Sequence, residues 1–414
     1  MAFATRRRAR RVFAYWRAEE RTLRQGFVAL LISTGAAFVA GVTLGSITGT
    51  LRLLPSLYIL IPAAVGMRGT IFGAIGARFG TSTHAGLFEV TRKRSGVLYQ
   101  NVFVGIVTTF SSCLFLAGLA KLSAIAFGLR SISFLDFVTI SVIGGVAGSA
   151  VIMAITIGLS VLSYRRGYDL DTVSTPLVTA AGDMVSIPTL YLATFLVRVH
   201  WLNASIAGVC IVVCLYATVR GALTDLPLAR RAIIEMTAVI LLTPLLDILA
   251  GTVVEARLDR FLAYPGLLII VPPLVSDAGA LGGILCSRLS SKLHLGVLTP
   301  SGRPQRAAIL DATLVVAFGV VAFLLVGVLG FGFSDLTGKA HPGAGTMIGG
   351  TLVAGMMATA ITIVVSYYIA ILTARFGLDP DNHSVPIITS VMDLAGVISF
   401  LFVLSLFGVP AHVS

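Results

Sequence analysis

PLVTAAGD, residues 176–183, and PIITSVMD, residues 386–393, are the two stretches that decide how this sequence is read. Each runs from a proline to an aspartate inside an otherwise apolar segment. An ionisable group there costs about 2.5–3.5 kcal/mol on insertion scales, so such a residue marks a pathway or a paired site. Thr179 and Thr389 stand four residues before Asp183 and Asp393, so on a helix the hydroxyl and the carboxylate share one face. The two stretches lie 210 residues apart. A duplicated polar face within apolar sequence is what the rest of the chain must accommodate.

Working outward, 57% of the 414 residues are hydrophobic and 12% charged, with a mean hydropathy of +0.97. This excludes an ordinary soluble protein and predicts an all-α polytopic membrane protein. Apolar runs near the ~20 residues that cross a bilayer predict eleven spans, at 27–49, 55–77, 98–123, 136–162, 176–198, 203–220, 232–254, 265–287, 307–332, 345–373 and 386–408. The net charge of +12 does not imply nucleic acid, because the basic residues are spread over short loops, as membrane topology dictates. Residues 1–26 form a basic amphipathic arm, in which eight arginines from Arg6 to Arg24 surround Phe13, Tyr15 and Trp16. Such an arm lies on an anionic cytoplasmic leaflet. The run that follows is too long for a signal peptide and reads as a retained span. Lys and Arg are denser in the loops on the side of this arm, which predicts a cytoplasmic N-terminus, an outer C-terminus and, most simply, the plasma membrane. Cys113, Cys210, Cys214 and Cys286 all fall in spans and form no disulfide framework or CxxC site.

The 210-residue offset extends well beyond the two opening stretches. Ala40-Gly41 pairs with Ala250-Gly251, Pro55 with Pro265, Pro62 with Pro272, Gly69 with Gly279, Gly73 with Gly283, Arg78 with Arg288 and His84 with His294. At the far end Arg165 pairs with Arg375, Asp169 with Asp379, Asp171 with Asp381 and Thr179 with Thr389. Apolar composition alone does not reproduce charged, glycine and proline positions in register, so the chain is a duplication. The first repeat occupies 27–199, a linking span and loop 200–231, and the second repeat 232–414. Five spans per repeat is odd, and the linking span restores the orientation. The repeats are therefore parallel, related by a pseudo-twofold axis along the membrane normal.

Depth arithmetic brings two motifs to one level. The fifth span starts at Pro176, a residue suited to a helix's first turn, and Asp183 lies ~10 Å further in at 1.5 Å per residue. The second span starts from the opposite side at Pro55, which puts Gly69 ~21 Å deep and ~9 Å from the far edge of a ~30 Å core. Gly69 should sit at the level of Asp183, and Gly279 at the level of Asp393. Glycines there permit close helix approach and let backbone carbonyls reach an ion.

The second-span blocks PAAVGMRGTIFGAIGARFGTSTHAG and PPLVSDAGALGGILCSRLSSKLHLG, with the fifth-span blocks TAAGD and TSVMDLAG, resemble the MgtE-type divalent cation transporters. The likeness is strongest to members that fuse two membrane domains in one chain, as in the eukaryotic solute carriers. It implies transport of Mg2+ or a similar divalent cation by one chain acting as a pseudo-dimer, and no organic cofactor. It also implies a pore lined by the second and fifth helices, with Asp183 and Asp393 as cation ligands assisted by Thr179 and Thr389. Gly69, Thr70, Gly73, Gly279, Ala280, Gly283, Arg68 and Asp277 are then pore-lining candidates, and Asp169, Asp171, Asp379 and Asp381 candidates for the cytoplasmic mouth. The cytoplasmic gating domains of many bacterial members have no expected counterpart before residue 27. Thr70 and Ala280 stand where the family pattern has asparagine. Arg68 and Asp277 are additional charges, which the sequence suggests form an ion pair with one another. The alternative is an intramembrane aspartyl protease using Asp183 and Asp393, since paired carboxyls can share a proton and activate water. Glu255, at an outer span end, reads as solvated, and Asp311 as bonded between helices.

Overall fold

The computed structural model describes residues 15–17, 20–84, 89, 91, 93–166, 170–198, 200–376 and 380–409. In chain order the helices are α1 (Glu20–Ser46), α2 (Thr48–Leu53), α3 (Leu57–His84), α4 (Val97–Ala126), α5 (Phe134–Arg166), α6 (Leu170–Val197), α7 (His200–Ala222), α8 (Pro227–Glu255), α9 (Leu258–Ala263), α10 (Pro265–His294), α11 (Arg306–Leu336), α12 (Thr351–Phe376) and α13 (Pro380–Leu406). A π-helical turn at Gly345–Gly350 leads into α12. Eleven helices are long and apolar enough to cross a membrane, so the all-α polytopic class holds, with no strand among the described residues.

Two differences from the predicted spans have local causes. The short helices α2 and α9 are one turn and a half each and too polar to register as spans, yet they occupy equivalent places in the two repeats. The fifth spans start within two residues of the prediction, at Val178 and Ser384, but their helices start earlier, at Leu170 and Pro380, so Pro176 and Pro386 lie inside α6 and α13. An internal proline forfeits one backbone hydrogen bond, and the polar residues ahead of it carry the helix on where a hydropathy reading stops.

Packing groups the chain into two compact units. One joins the described residues up to Gly35 with those of Pro273–Pro410; the other holds the described residues of Ala36–Pro272. In the second unit α3 packs against α4, α6 and α8, α5 lies along α6, and α7 rests on α4 and α5. In the first, α12 packs against α11 and α13. The most enclosed helices of the chain are α3 and α10, 61% and 67% buried over their apolar windows. These carry the glycine-rich blocks.

One pair of contacts inside the Ala36–Pro272 unit shows the duplication in the backbone. A Cβ built on Gly41 of α1 would stand 2.2 Å from the carbonyl oxygen of Ile269 in α10, and one on Gly251 of α8 would stand 2.6 Å from that of Ile59 in α3. Gly41 and Gly251 are repeat equivalents, and so are Ile59 and Ile269. The first helix of each repeat therefore lies backbone-to-backbone on the second helix of the other.

The end of α8 is likewise built into this unit. The sequence leaves Glu255 solvated, but its Oε1 accepts from the Ser56 amide at 2.6 Å, and its Oε2 is buried. The carboxylate meets the amide end of α3, where a helix leaves N–H groups unpaired and its dipole favours negative charge. Ser56 has φ 66°, a conformation costing about 1–3 kcal/mol outside glycine. Its hydroxyl donates to the Arg130 carbonyl at 2.6 Å, which helps to hold it there.

Gly41→Ala and Gly251→Ala should each destabilise the protein by roughly 1–3 kcal/mol, because the obstructing atom is backbone. Gly158→Ala, where an added Cβ meets nothing within 4 Å, should unfold no earlier than wild type. Thermal unfolding of the detergent-solubilised chain checks all three.

Candidate cation site

The site is built where α6 crosses α3. A Cβ on Gly182 would lie 3.8 Å from the Gly69 amide nitrogen, and one on Gly69 would lie 3.7 Å from the Thr179 methyl. Two facing glycines let the backbones close. Asp183 follows Gly182 and is carried to the level of Gly69, with only 9% of its surface exposed. The Ser186 hydroxyl donates to Gly182 O at 2.5 Å, which keeps this turn of α6 closed.

The second repeat has a related arrangement within its own unit. A Cβ on Gly279 of α10 would stand 3.4 Å from the Thr389 methyl of α13, and one on Gly396 would stand 3.4 Å from Val275. Asp393 lies on α13 between those two contacts. The Thr389 hydroxyl donates to Pro386 O at 2.9 Å, which leaves its oxygen lone pairs available to a cation.

Both central helices keep one open stripe. On α3 it runs through half-buried Gly69, Thr70, Gly73 and Ala74 to exposed Ala77 and Thr81; on α10 it runs through Ala280, Gly283 and Ile284 to exposed Ser287 and Ser291. The positions correspond at the 210-residue offset from Thr70 and Ala280 onward. At Gly73 an added Cβ would meet nothing within 4 Å, whereas at Gly283 it would touch Val385 at 3.5 Å.

Arg68 and Asp277 each have a bonded neighbour within their own unit. Arg68 donates from Nη2 to Gly144 O at 3.3 Å and has no ion pair among the described residues. Asp277 is fully buried and accepts the Thr34 hydroxyl at 2.9 Å on both oxygens. Asp277 is the equivalent of Met67, not of residue 68, and one residue turns a helical side chain by about 100°, so the two charges stand on different faces of their helices.

Asp171 and Asp381 fall in the first turns of α6 and α13. Their side chains lie outside the described residues, as do Asp169 and Asp379 altogether. Among the described residues no group of three His, Cys, Asp or Glu side chains converges on a metal position.

A second polar centre, at the start of α11, escaped the sequence reading in extent. Asp311 is fully buried and accepts from Arg288 Nε at 2.9 Å and Lys292 Nζ at 2.5 Å. Tyr15 of the basic arm donates its hydroxyl to Asp311 at 2.6 Å and accepts from Arg288 and Lys292 at 2.8 and 2.9 Å. Trp16 adds an indole N–H to the Thr313 hydroxyl at 3.3 Å. The sequence signal was an acid opposite Asn101 and a lysine opposite Ser82, but nothing local tied either to Tyr15. Burial, and after it the bond to Asp311, pushes the Tyr15 phenol above its ordinary pKa. A raised value means that the contribution to stability is complete below the phenol's normal range near 10 and is lost only as pH climbs through the folded value.

Ten apolar helices in two repeats and an eleventh between them, with a carboxylate at the same place on the fifth helix of each repeat, define a polytopic membrane protein. The family of MgtE divalent cation transporters matches residues 61–194 and 271–403, more than half of the chain and one block in each repeat. The chain belongs to that family, and it is an integral membrane protein that transports divalent cations. It is similar to Solute carrier family 41 member 3 of Rattus norvegicus, 22% identical over 394 residues that cover 89% of this chain and 84% of the relative. The mouse protein of the same name is 23% identical over 364 residues, covering 81% and 72%. No solved structure matches the chain. A transporter-family match in both repeats leaves the protease alternative without support.

Tyr15→Phe, which removes one donated and two accepted bonds, should lower stability by roughly 1–3 kcal/mol. Asp311→Asn should cost more, roughly 3–5 kcal/mol, because it removes the buried charge that two half-buried cations share. Thermal unfolding of the full chain in detergent measures both.

Proposed function

We propose that the transported ion is Mg2+ or a close divalent analogue. It moves along a pathway lined by α3 and α6 of the first repeat and α10 and α13 of the second, with Asp183 and Asp393 as its ligands. Thr179 and Thr389 assist, and Gly69, Thr70, Gly73, Gly279, Ala280 and Gly283 form the wall. The observation that carries this reading is the contact of Gly182 with Gly69, which sets a buried carboxylate beside the glycine of an open stripe.

The chemistry suits a hard cation that dehydrates reluctantly. Mg2+ is held by one or two carboxylates while it keeps several waters, so a full protein cage of ligands is not required. Carboxylates withdrawn from bulk water attract a divalent ion more strongly than surface ones, since Coulomb energy scales inversely with the effective dielectric constant. Hydroxyl oxygens and glycine-flanked carbonyls can replace part of the hydration shell without adding charge. The ion is cargo throughout. Asp169, Asp171, Asp379 and Asp381 would gather cations at the cytoplasmic mouth, in an orientation with the basic arm inside against anionic lipid and the plasma membrane as its setting. Fusion of two repeats lets one chain supply what a homodimer would assemble from two.

Mg2+ flux into proteoliposomes tests the reading. Asp183→Asn and Asp393→Asn keep the side-chain shape and remove the charge. Each should slow flux about tenfold or more, as expected for losing one charged contact worth about 1.5–3 kcal/mol, and the double variant should fall to the leak of empty vesicles. Wild-type flux in the double variant would reject both residues as ligands.

A further inference from the structure

Arg68 stands in the interior of α3 with 3% of its surface exposed. Nη2 donates to Gly144 O, while Nη1 is buried without an acceptor among the described residues. A guanidinium remains charged at any ordinary pH, and an uncompensated buried charge is strongly destabilising. The sequence has nonetheless made room for it. A Cβ on Gly148 of α5 would come within 3.2 Å of both Cζ and Nη1, and one on Gly145 within 3.9 Å of Nη2.

Arg68 borders a cavity of about 10 Å³ that is also walled by Thr109, Ser112 and Cys113 of α4 and by Ser141 and Ser149 of α5. That is the space of a single water-sized body. Ser112 and Ser141 turn their hydroxyl hydrogens to the backbone, at Thr109 O and Cys113 O. Thr109 Oγ1, by contrast, is buried with no partner, like Arg68 Nη1. Arg68 Nη1 and Thr109 Oγ1 are therefore fully buried donors left unused, one of them cationic, and the lining holds no carboxylate. Hydrogen bonds from a charged donor to an anion are about twice as strong as neutral ones.

We infer that this cavity binds one small monatomic anion of the halide class, held by Arg68 Nη1 and the Thr109 hydroxyl. Its size excludes phosphate, sulfate and carboxylates. The anion cancels a positive charge one residue from Gly69, the glycine against which the Asp183 turn is packed. An occupied cavity thus favours a cation at Asp183, and a vacant one opposes it. Ala278 occupies the equivalent position in the second repeat, so the device belongs to the first alone. The coupling to transport rests on the reading of Asp183 as a cation ligand; the anion site itself does not.

Thermal unfolding of the full chain in detergent, with sodium chloride exchanged for sodium gluconate at constant ionic strength, tests the binding. Chloride should raise the wild-type unfolding temperature saturably, by about 2–4 °C. Thr109→Val, which retains the charge, should weaken that response, and Arg68→Met should abolish it. Equal unfolding temperatures in the two salts mean that the cavity holds only water and overturn the inference, as does a saturable chloride response that survives in both variants. Mg2+ flux supplies the second arm. Wild-type flux should fall when gluconate replaces chloride, whereas the residual flux of Arg68→Met should ignore the exchange. If the unfolding response appears and the flux response does not, the anion site stands and its link to Asp183 is refuted.

Discussion

The arrangement depends on two backbone-to-backbone contacts, Gly41 on Ile269 and Gly251 on Ile59. Between helices in lipid there is little hydrophobic driving force, because the tails are as apolar as leucine, and association rests on close van der Waals packing at small residues. A carbonyl oxygen that fills the space a Cβ would need is the closest form of that packing. Since the contacts are repeat equivalents, each repeat is tied to the other by its own first helix. This brings α8 into the unit built around α3 and leaves α3 enclosed on all but one stripe.

Enclosure sets the terms for the charged groups, and each ion is answered differently. Asp277 accepts the Thr34 hydroxyl. Glu255 is answered by the amide end of a helix. Asp311 is answered by two cations and a phenol that the arm brings from far along the chain. In each of these three the carboxylate accepts hydrogen bonds from protein donors within its own unit. Asp183 and Asp393 differ in setting: both sit beside glycines of the most enclosed helices, on a pattern present in both repeats. Arg68 differs again, as a cation whose remaining donor looks into a cavity.

Asymmetry between the repeats follows from the same residues. Thr70 faces Ala280, Arg68 faces Ala278, and Met67 faces Asp277 across the repeat register. The carboxylates and prolines match while their surroundings do not. A duplicated chain can hold the paired carboxylates constant and let one repeat acquire a charge that the other lacks, which a homodimer of identical subunits cannot do.

The sequence by itself determined the eleven spans, the duplication and the level at which Gly69 meets the Asp183 turn. Those follow from transfer free energy, from exact register and from the fixed rise of a helix. Only the tertiary structure decided that α1 and α8 each pack on the other repeat's second helix, that α6 and α13 run through Pro176 and Pro386, that Arg68 reaches Gly144 O, and that Tyr15 closes on Asp311. The reason is azimuth. A helix such as α4 or α5 is apolar all round, so its sequence carries little record of which face meets which neighbour. Depth can be counted along a chain, but direction around a helix is settled only when the helices pack.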